Sequence, residues 1–255
     1  MAQYDNRWAN AGSVARNTST VAVDEGLRTY MLRVYNYMAG GIALSGITAY
    51  LTYSMAVAQT KAAGGLVLTP FGQALFLSPL KWVVMLAPLA FVMYLSFRVY
   101  KMSETAAQIS FWAFAAVMGV SLSSIFLVFK LGSITQIFFV TAAAFAALSV
   151  YGYTTKKDLT GMGTFLIMGV IGLILASLVN IFLQSSGLSF AVSALGVLIF
   201  AGLTAYDTQQ IKDNYYAVGG DASVLGKTAI MGALNLYLDF INMFTSMLQL
   251  FGDRE

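Results

Sequence analysis

Charge in this sequence is confined to short clusters, and between them run seven apolar stretches, near residues 34–57, 82–100, 106–128, 133–153, 163–183, 189–211 and 230–251. Each is about twenty residues long, the length an α-helix needs to cross the hydrocarbon of a bilayer. Composition agrees. Hydrophobic residues make up 58% of the 255 positions and charged residues 10%, where a soluble domain carries about a quarter charged residues. No polar face recurs along the stretches, which argues against a soluble protein with a very large core. The expected fold class is therefore an all-α integral membrane protein of seven transmembrane helices, with a single polytopic domain over residues 26–255.

Residues 1–25 are polar and mixed in charge. They lack the apolar core of a signal peptide and read as a disordered cytoplasmic tail. Gly26 to Tyr37 mixes Arg28 and Arg33 with three tyrosines, which suits a helix entering through the headgroup region. The segment 58–81, with Pro70, Pro79 and the pair Gly64-Gly65, reads as a loop. Basic residues set the orientation. With the N-terminus inside, the cytoplasmic segments hold Arg7, Arg16, Arg28, Arg33, Arg98, Lys101, Lys156, Lys157, Lys212 and Lys227, ten in all. The outer segments hold Lys61, Lys81, Lys130 and Arg254, which is four. The bias favours a cytoplasmic N-terminus. It leaves open whether the last stretch crosses fully or returns as a re-entrant hairpin.

The chain has neither cysteine nor histidine. Disulfides, thiolate metal sites and cysteine nucleophiles are excluded, as are serine–histidine hydrolysis and histidine pH sensing. Proton-linked behaviour near neutral pH then falls to carboxylates or lysines. A net charge of +3 is too small and scattered for nucleic acid.

Ionisable residues inside spans are candidates for function, and two stand out. Asp207 lies in FAGLTAYDTQQIK near the end of the sixth stretch, and Asp239 in ALNLYLDFINMFTSML within the seventh. Taking Lys212 and Ile230 as the cytoplasmic limits, helical rise puts them roughly 7 Å and 13 Å inward, on helices joined by one loop. Two carboxylates meeting in a low-dielectric site cannot both ionise cheaply; one keeps its proton and shares it. Such a pair is a proton-sensitive latch and also offers oxygen ligands suited to transient Ca²⁺. The alternative has each aspartate satisfied separately by hydroxyl or backbone groups. Tyr206, Tyr237, Asn235 and Asn242 are candidate supporting residues, and Arg98 and Lys101 either snorkel or reach the pair. Asp158 is a candidate helix cap. Asn180 and Gln184 either line a path or join helices by hydrogen bonds.

At these residues the chain resembles the transmembrane Bax inhibitor motif family, most closely its bacterial branch. The matching stretches are SLSSIFLVF at 121–129, YGYTTKKDLTGMGTFL at 151–166, ASLVNIFLQSS at 176–186, FAGLTAYDTQQIK at 200–212 and NLYLDFINMFTSMLQLFG at 235–252. The resemblance runs from about residue 26 to the C-terminus. It implies seven helices with the C-terminal one central, wrapped by the other six, and a pH-sensitive calcium leak in the bacterial inner membrane. Calcium is then the permeant ion and no cofactor is implied. The family's proton-sensing pair carries onto Asp207 and Asp239. Some bacterial relatives associate with a membrane-bound protease, so a non-transporting partner that modulates such a protease is the alternative. Unlike some family members, this chain has no acidic residue in its second span.

An intramembrane aspartyl protease also uses two aspartates on consecutive helices, and Tyr206-Asp207 fits its tyrosine–aspartate pattern. However, Leu236, Tyr237 and Leu238 precede Asp239 where a glycine motif is needed, and the last proline is Pro88. A retinal receptor is excluded in its usual form, because the last span has no lysine.

Overall fold

The computed structural model describes residues 7–58, 67–219 and 222–254, with backbone alone described for 7–24, Tyr100 and 222–223. Nine helices account for nearly all of these residues. They are α1 (Arg7–Ala56), α2 (Pro70–Phe76), α3 (Leu80–Arg98), α4 (Glu104–Leu122), α5 (Ile125–Val128), α6 (Leu131–Thr154), α7 (Thr160–Leu183), α8 (Ser186–Val218) and α9 (Ala222–Phe251). Among the described residues six segments are long and apolar enough to cross a membrane: α3, α4 with α5, α6, α7, α8 and α9. The protein is an all-α, multi-pass membrane protein. The expected disordered tail, 1–25, lies outside the described residues for 1–6, and the α1 backbone takes in 7–25 without a break.

Burial is uneven in a way that suits lipid as solvent. The α7 helix buries three of its 24 residues, Gly163, Leu166 and Leu173, and presents Phe165, Met168 and Phe182 outward. In α9, by contrast, Ala229, Ile230, Leu234, Leu236, Tyr237, Met243 and Leu248 are all fully enclosed. This helix packs against α1, α4, α6 and α8. At about 1.5 Å per residue its 30 residues measure roughly 45 Å. Its far end is fixed: the Lys130 amide donates to the Asp253 carbonyl (2.9 Å) and Phe129 pairs with Arg254. Helix α9 therefore runs from the α8 turn to the opposite end of the bundle, beside the α5–α6 junction, and is not a re-entrant hairpin.

The segment expected to be a loop, 58–81, is more ordered than its prolines suggested. Val57–Ala58 and Val67–Leu68 form a two-residue antiparallel pair, and α2 follows. Thr69 caps α2 by accepting from the Gly72 amide (3.1 Å), and Pro70 occupies its first turn, where a missing N–H costs nothing. The stretch 106–128 is broken into α4 and α5. Ser123 and Ser124 each bond back to a carbonyl three residues earlier, competing with the helical ladder there. Helix α8 continues past Lys212 to Val218, and α9 begins eight residues before Ile230. The added turns carry Lys212, Asp213 and Lys227, so they extend the polar ends rather than the apolar spans.

Candidate functional site

The broadest helix–helix interface in the molecule joins α8 to α9, and both intramembrane aspartates lie on it. Their carboxyl groups are close enough to influence one another across it. Asp239 is 4% exposed, and its Oδ2 is buried with no hydrogen-bond partner among the described residues. Two ionised carboxylates have no hydrogen between them, so a hydrogen bond joining the two would need a proton on one. No ion pair joins Arg98 or Lys101 to either aspartate among the described residues. Both are exposed, Arg98 as the last residue of α3 and Lys101 three residues beyond it.

The other expected supporting residues divide by helix face. Tyr237, two positions before Asp239, points away from the pair. Its hydroxyl lies 2.6 Å from Ser45 Oγ on α1, and its ring meets Phe111 and Phe114 edge-on. The Tyr206 ring lies over Gly163, where any added Cβ would strike it, so it braces α7 against α8. Asn235 and Asn242 share the face of Asp239. Asn242 donates to the Leu238 carbonyl (2.8 Å), and Asn235, one turn from Asp239 toward the start of α9, is exposed.

Those two asparagines belong to a longer pattern that residue-by-residue reading missed. Asn235, Asp239, Asn242, Ser246 and Gln249 recur at alternating spacings of four and three, which places them in one stripe along a helix. The stripe faces α8. Ser246 sits against Gly196, and Gln249 accepts from Ser193 Oγ at 2.8 Å. Farther out, Asn180 serves the α7–α8 hairpin. It accepts from the Ser185 amide (3.0 Å), donates to Ser189 Oγ (2.7 Å), and its carbonyl holds Gln184. Gln184 takes a left-handed conformation, φ 49°, and closes α7. Asn180 thus follows the hydrogen-bonding alternative, whereas Gln184 contributes its backbone amide to the cap.

A second polar cluster backs α8 from the other side. Tyr35, Ser149 and Thr208 form a buried chain across α1, α6 and α8, with oxygen separations of 2.5 and 3.0 Å. Gln209, two residues past Asp207, accepts from the Leu159 amide and donates to the Lys157 carbonyl, both at 2.8 Å. One side chain thus clamps the α6–α7 connection onto α8. Hydrogen bonding from Thr160, its side chain first and then its amide (2.9 Å), holds the exposed carboxyl of Asp158 in that connection below the usual range. Because the folded value is the depressed one, this contribution is present at neutral pH and fades as pH falls through the carboxylate range. Replacing Gln209 with leucine should lower stability by about 2–3 kcal/mol, since it deletes two bonds and strands a buried amide. Thermal unfolding in detergent measures it; an unchanged midpoint would remove the clamp.

At the end of the bundle that holds the start of α9, Arg33 on α1 forms an ion pair with Glu104 at the start of α4, and Glu104 rests against Gly226 of α9. From sequence Arg33 was read only as an interfacial arginine, and Glu104, at a span boundary, was not singled out. Among the described residues no group of three or more histidine, cysteine, aspartate or glutamate side chains could hold a metal ion. Calcium takes six to eight oxygen ligands, so two carboxylates alone could engage it only in passing.

The model of the family described as inhibitor of apoptosis-promoting Bax1 matches residues 27–255. The chain belongs to this Bax inhibitor family. It is 44% identical over 247 residues to the inner membrane protein YbhL of Escherichia coli, covering 94% of this chain and 98% of that one. It is 45% identical over 242 residues to a protein of Caulobacter vibrioides, covering 95% of each. Protein RP147 of Rickettsia prowazekii is 45% identical over 237 residues, with 91% of this chain and 92% of that one covered. Membership of this family of non-catalytic membrane proteins sets aside the protease reading of the two aspartates.

Proposed function

We propose that this protein is a pH-sensitive calcium leak channel of the bacterial inner membrane, opened and closed by a proton shared between Asp207 and Asp239. The observation that carries the reading is the nearness of two carboxyl groups across the α8–α9 interface, one of them buried with an oxygen that has no hydrogen-bond partner among the described residues. In this reading residues 34–56 of α1 make a seventh span, and α9 is the axis around which the other six pack. The polar stripe from Asn235 to Gln249 lines the route, with Asn235 and Asn242 hydrating either side of the pair. Tyr206 and Tyr237 hold the backbone on which the aspartates sit, and Arg98 and Lys101 stay at the membrane surface. The inner-membrane assignment draws on the name of the Escherichia coli relative.

Calcium flux into liposomes containing only the purified chain tests this directly. Flux above that of empty liposomes supports the channel, and its absence favours a partner protein that acts on a membrane-bound protease without transport. Orientation has its own test. With ten basic residues on one side and four on the other, the N-terminus and the connections holding Lys101, Lys156 and Lys227 face the cytoplasm. Since the chain has no cysteine, Lys156→Cys introduces a single thiol. An impermeant maleimide should label it only after cells are broken; labelling of intact cells would reverse the topology.

A further inference from the structure

We propose that the groove between α1 and α6 is a binding site for one anionic glycerophospholipid, with its phosphate at Arg28 and its acyl chains running along α1. Helices α1 and α6 both pack on α9 and are joined by the Tyr35–Ser149 hydrogen bond. Between them lies an open cavity of about 880 Å³. Small side chains cut its walls, Ala39, Ala43 and Gly46 on α1 and Ala142 and Ala146 on α6, with Phe240 of α9 at its floor.

Three features select a lipid. The first is length. From Arg28 to Gly46 the groove follows eighteen residues of α1, roughly 27 Å. Its first turns lie among the interfacial arginines and tyrosines, which leaves about 18 Å beyond Val34, slightly more than one leaflet of a hydrocarbon core about 30 Å thick. The second is volume. At roughly 30 Å³ for a methylene, close to a water molecule's share of liquid, the cavity takes about thirty carbons, the content of two acyl chains. The third is charge. Arg28 is exposed at one end, and no acidic side chain is among the described lining residues. Glu25, one turn away on α1, does not line the groove. Lys212 adds a second cation at that end, bonded to the Tyr153 carbonyl (2.9 Å) and 5.7 Å from the Tyr153 ring, which does line it. Polar atoms are otherwise confined to Tyr35, Ser149 and Tyr153, so chemistry changes along the groove as it does along a lipid. The choice of leaflet, cytoplasmic, rests on the proposed orientation; the site itself does not.

Native mass spectrometry of the full chain in detergent, with phosphatidylglycerol or phosphatidylcholine of matched chains added, tests the site. The expected result is one phosphatidylglycerol retained per chain at activation energies that strip phosphatidylcholine. Arg28→Gln should cut that preference roughly fivefold, the worth of one cation at an anionic surface. Ala43→Leu, which fills the groove, should abolish retention of either lipid. Arg28 is exposed, so its replacement leaves folding intact and keeps the test valid if Ala43→Leu fails to fold. Equal retention of the two lipids, retention unaffected by Arg28→Gln, or a second copy of the chain cross-linked through Ala43→Cys would overturn the proposal.

Discussion

Calcium entry into liposomes carrying the wild-type protein should rise with pH between about pH 5 and about pH 8, and Asp207→Asn or Asp239→Asn should each flatten that response. With the proton in place the pair is a hydrogen bond between α8 and α9. With it gone, two like charges face each other in a site that excludes water, where their repulsion is far stronger than in bulk. The interface is then pushed open at the turn where Asn235 is already exposed, and the negative charge draws in a divalent cation. Hence flux increases in the direction of proton loss. No histidine competes as sensor. One proton changes the open population by at most about tenfold per pH unit, which sets the steepness to look for. An asparagine at either position cannot share a proton with a carboxylate, so each single variant should lose the pH slope. The double variant should add little, because residues that act as a unit are not additive. Single variants that kept the wild-type slope would reduce the pair to a structural contact.

Hydropathy made most of this architecture legible, and the misses have specific causes. Thr69-Pro70 is a helix-start signal, yet beside Pro79 and Gly64-Gly65 it reads equally well as loop punctuation. The break at Ser123-Ser124 lies inside an unbroken apolar run, so only the hydrogen bonds of the two hydroxyls reveal it. Asp207 and Asp239 were visible because charge in an apolar helix is costly and therefore conspicuous. Tyr237 turns away from the pair for a geometric reason: adjacency in sequence is not adjacency on a helix. Tyr237 and Asp239, two residues apart, face nearly opposite ways, whereas Gln249, ten residues on, shares the aspartate's stripe. The pairing of Arg33 with Glu104 escaped because charges at span ends are ordinarily solvated, and no pattern marks the pair that meets.

Replacing Gly152 with alanine should lower stability by about 3 kcal/mol, the upper end of what overpacking usually costs. Gly152 is buried on α6 at its crossing with α8, and an added Cβ would collide with the carbonyl, carbonyl carbon and Cα of Ala205. These are backbone atoms, so no rotamer change can relieve the clash and one helix must move. Small residues serve this purpose in lipid, where helices associate by close packing rather than by burial from water. Displacement here is expensive because the crossing is tied on both sides. Ser149 bonds Thr208 one turn earlier, and Lys212 reaches the Tyr153 carbonyl. Gly172 on α7 is the control. Nothing lies within 4 Å of a Cβ built there, so Gly172→Ala should be neutral or stabilise by up to about 1 kcal/mol through helix propensity. Thermal unfolding in detergent should therefore separate the two substitutions by several degrees, with Gly152→Ala the lower, and equal midpoints would show that the helices are not in contact at Gly152. Because Ala205 lies two residues from Asp207, the same displacement should weaken the approach of the two aspartates. Gly152→Ala is then expected to blunt the pH response of calcium flux without altering a single titratable group.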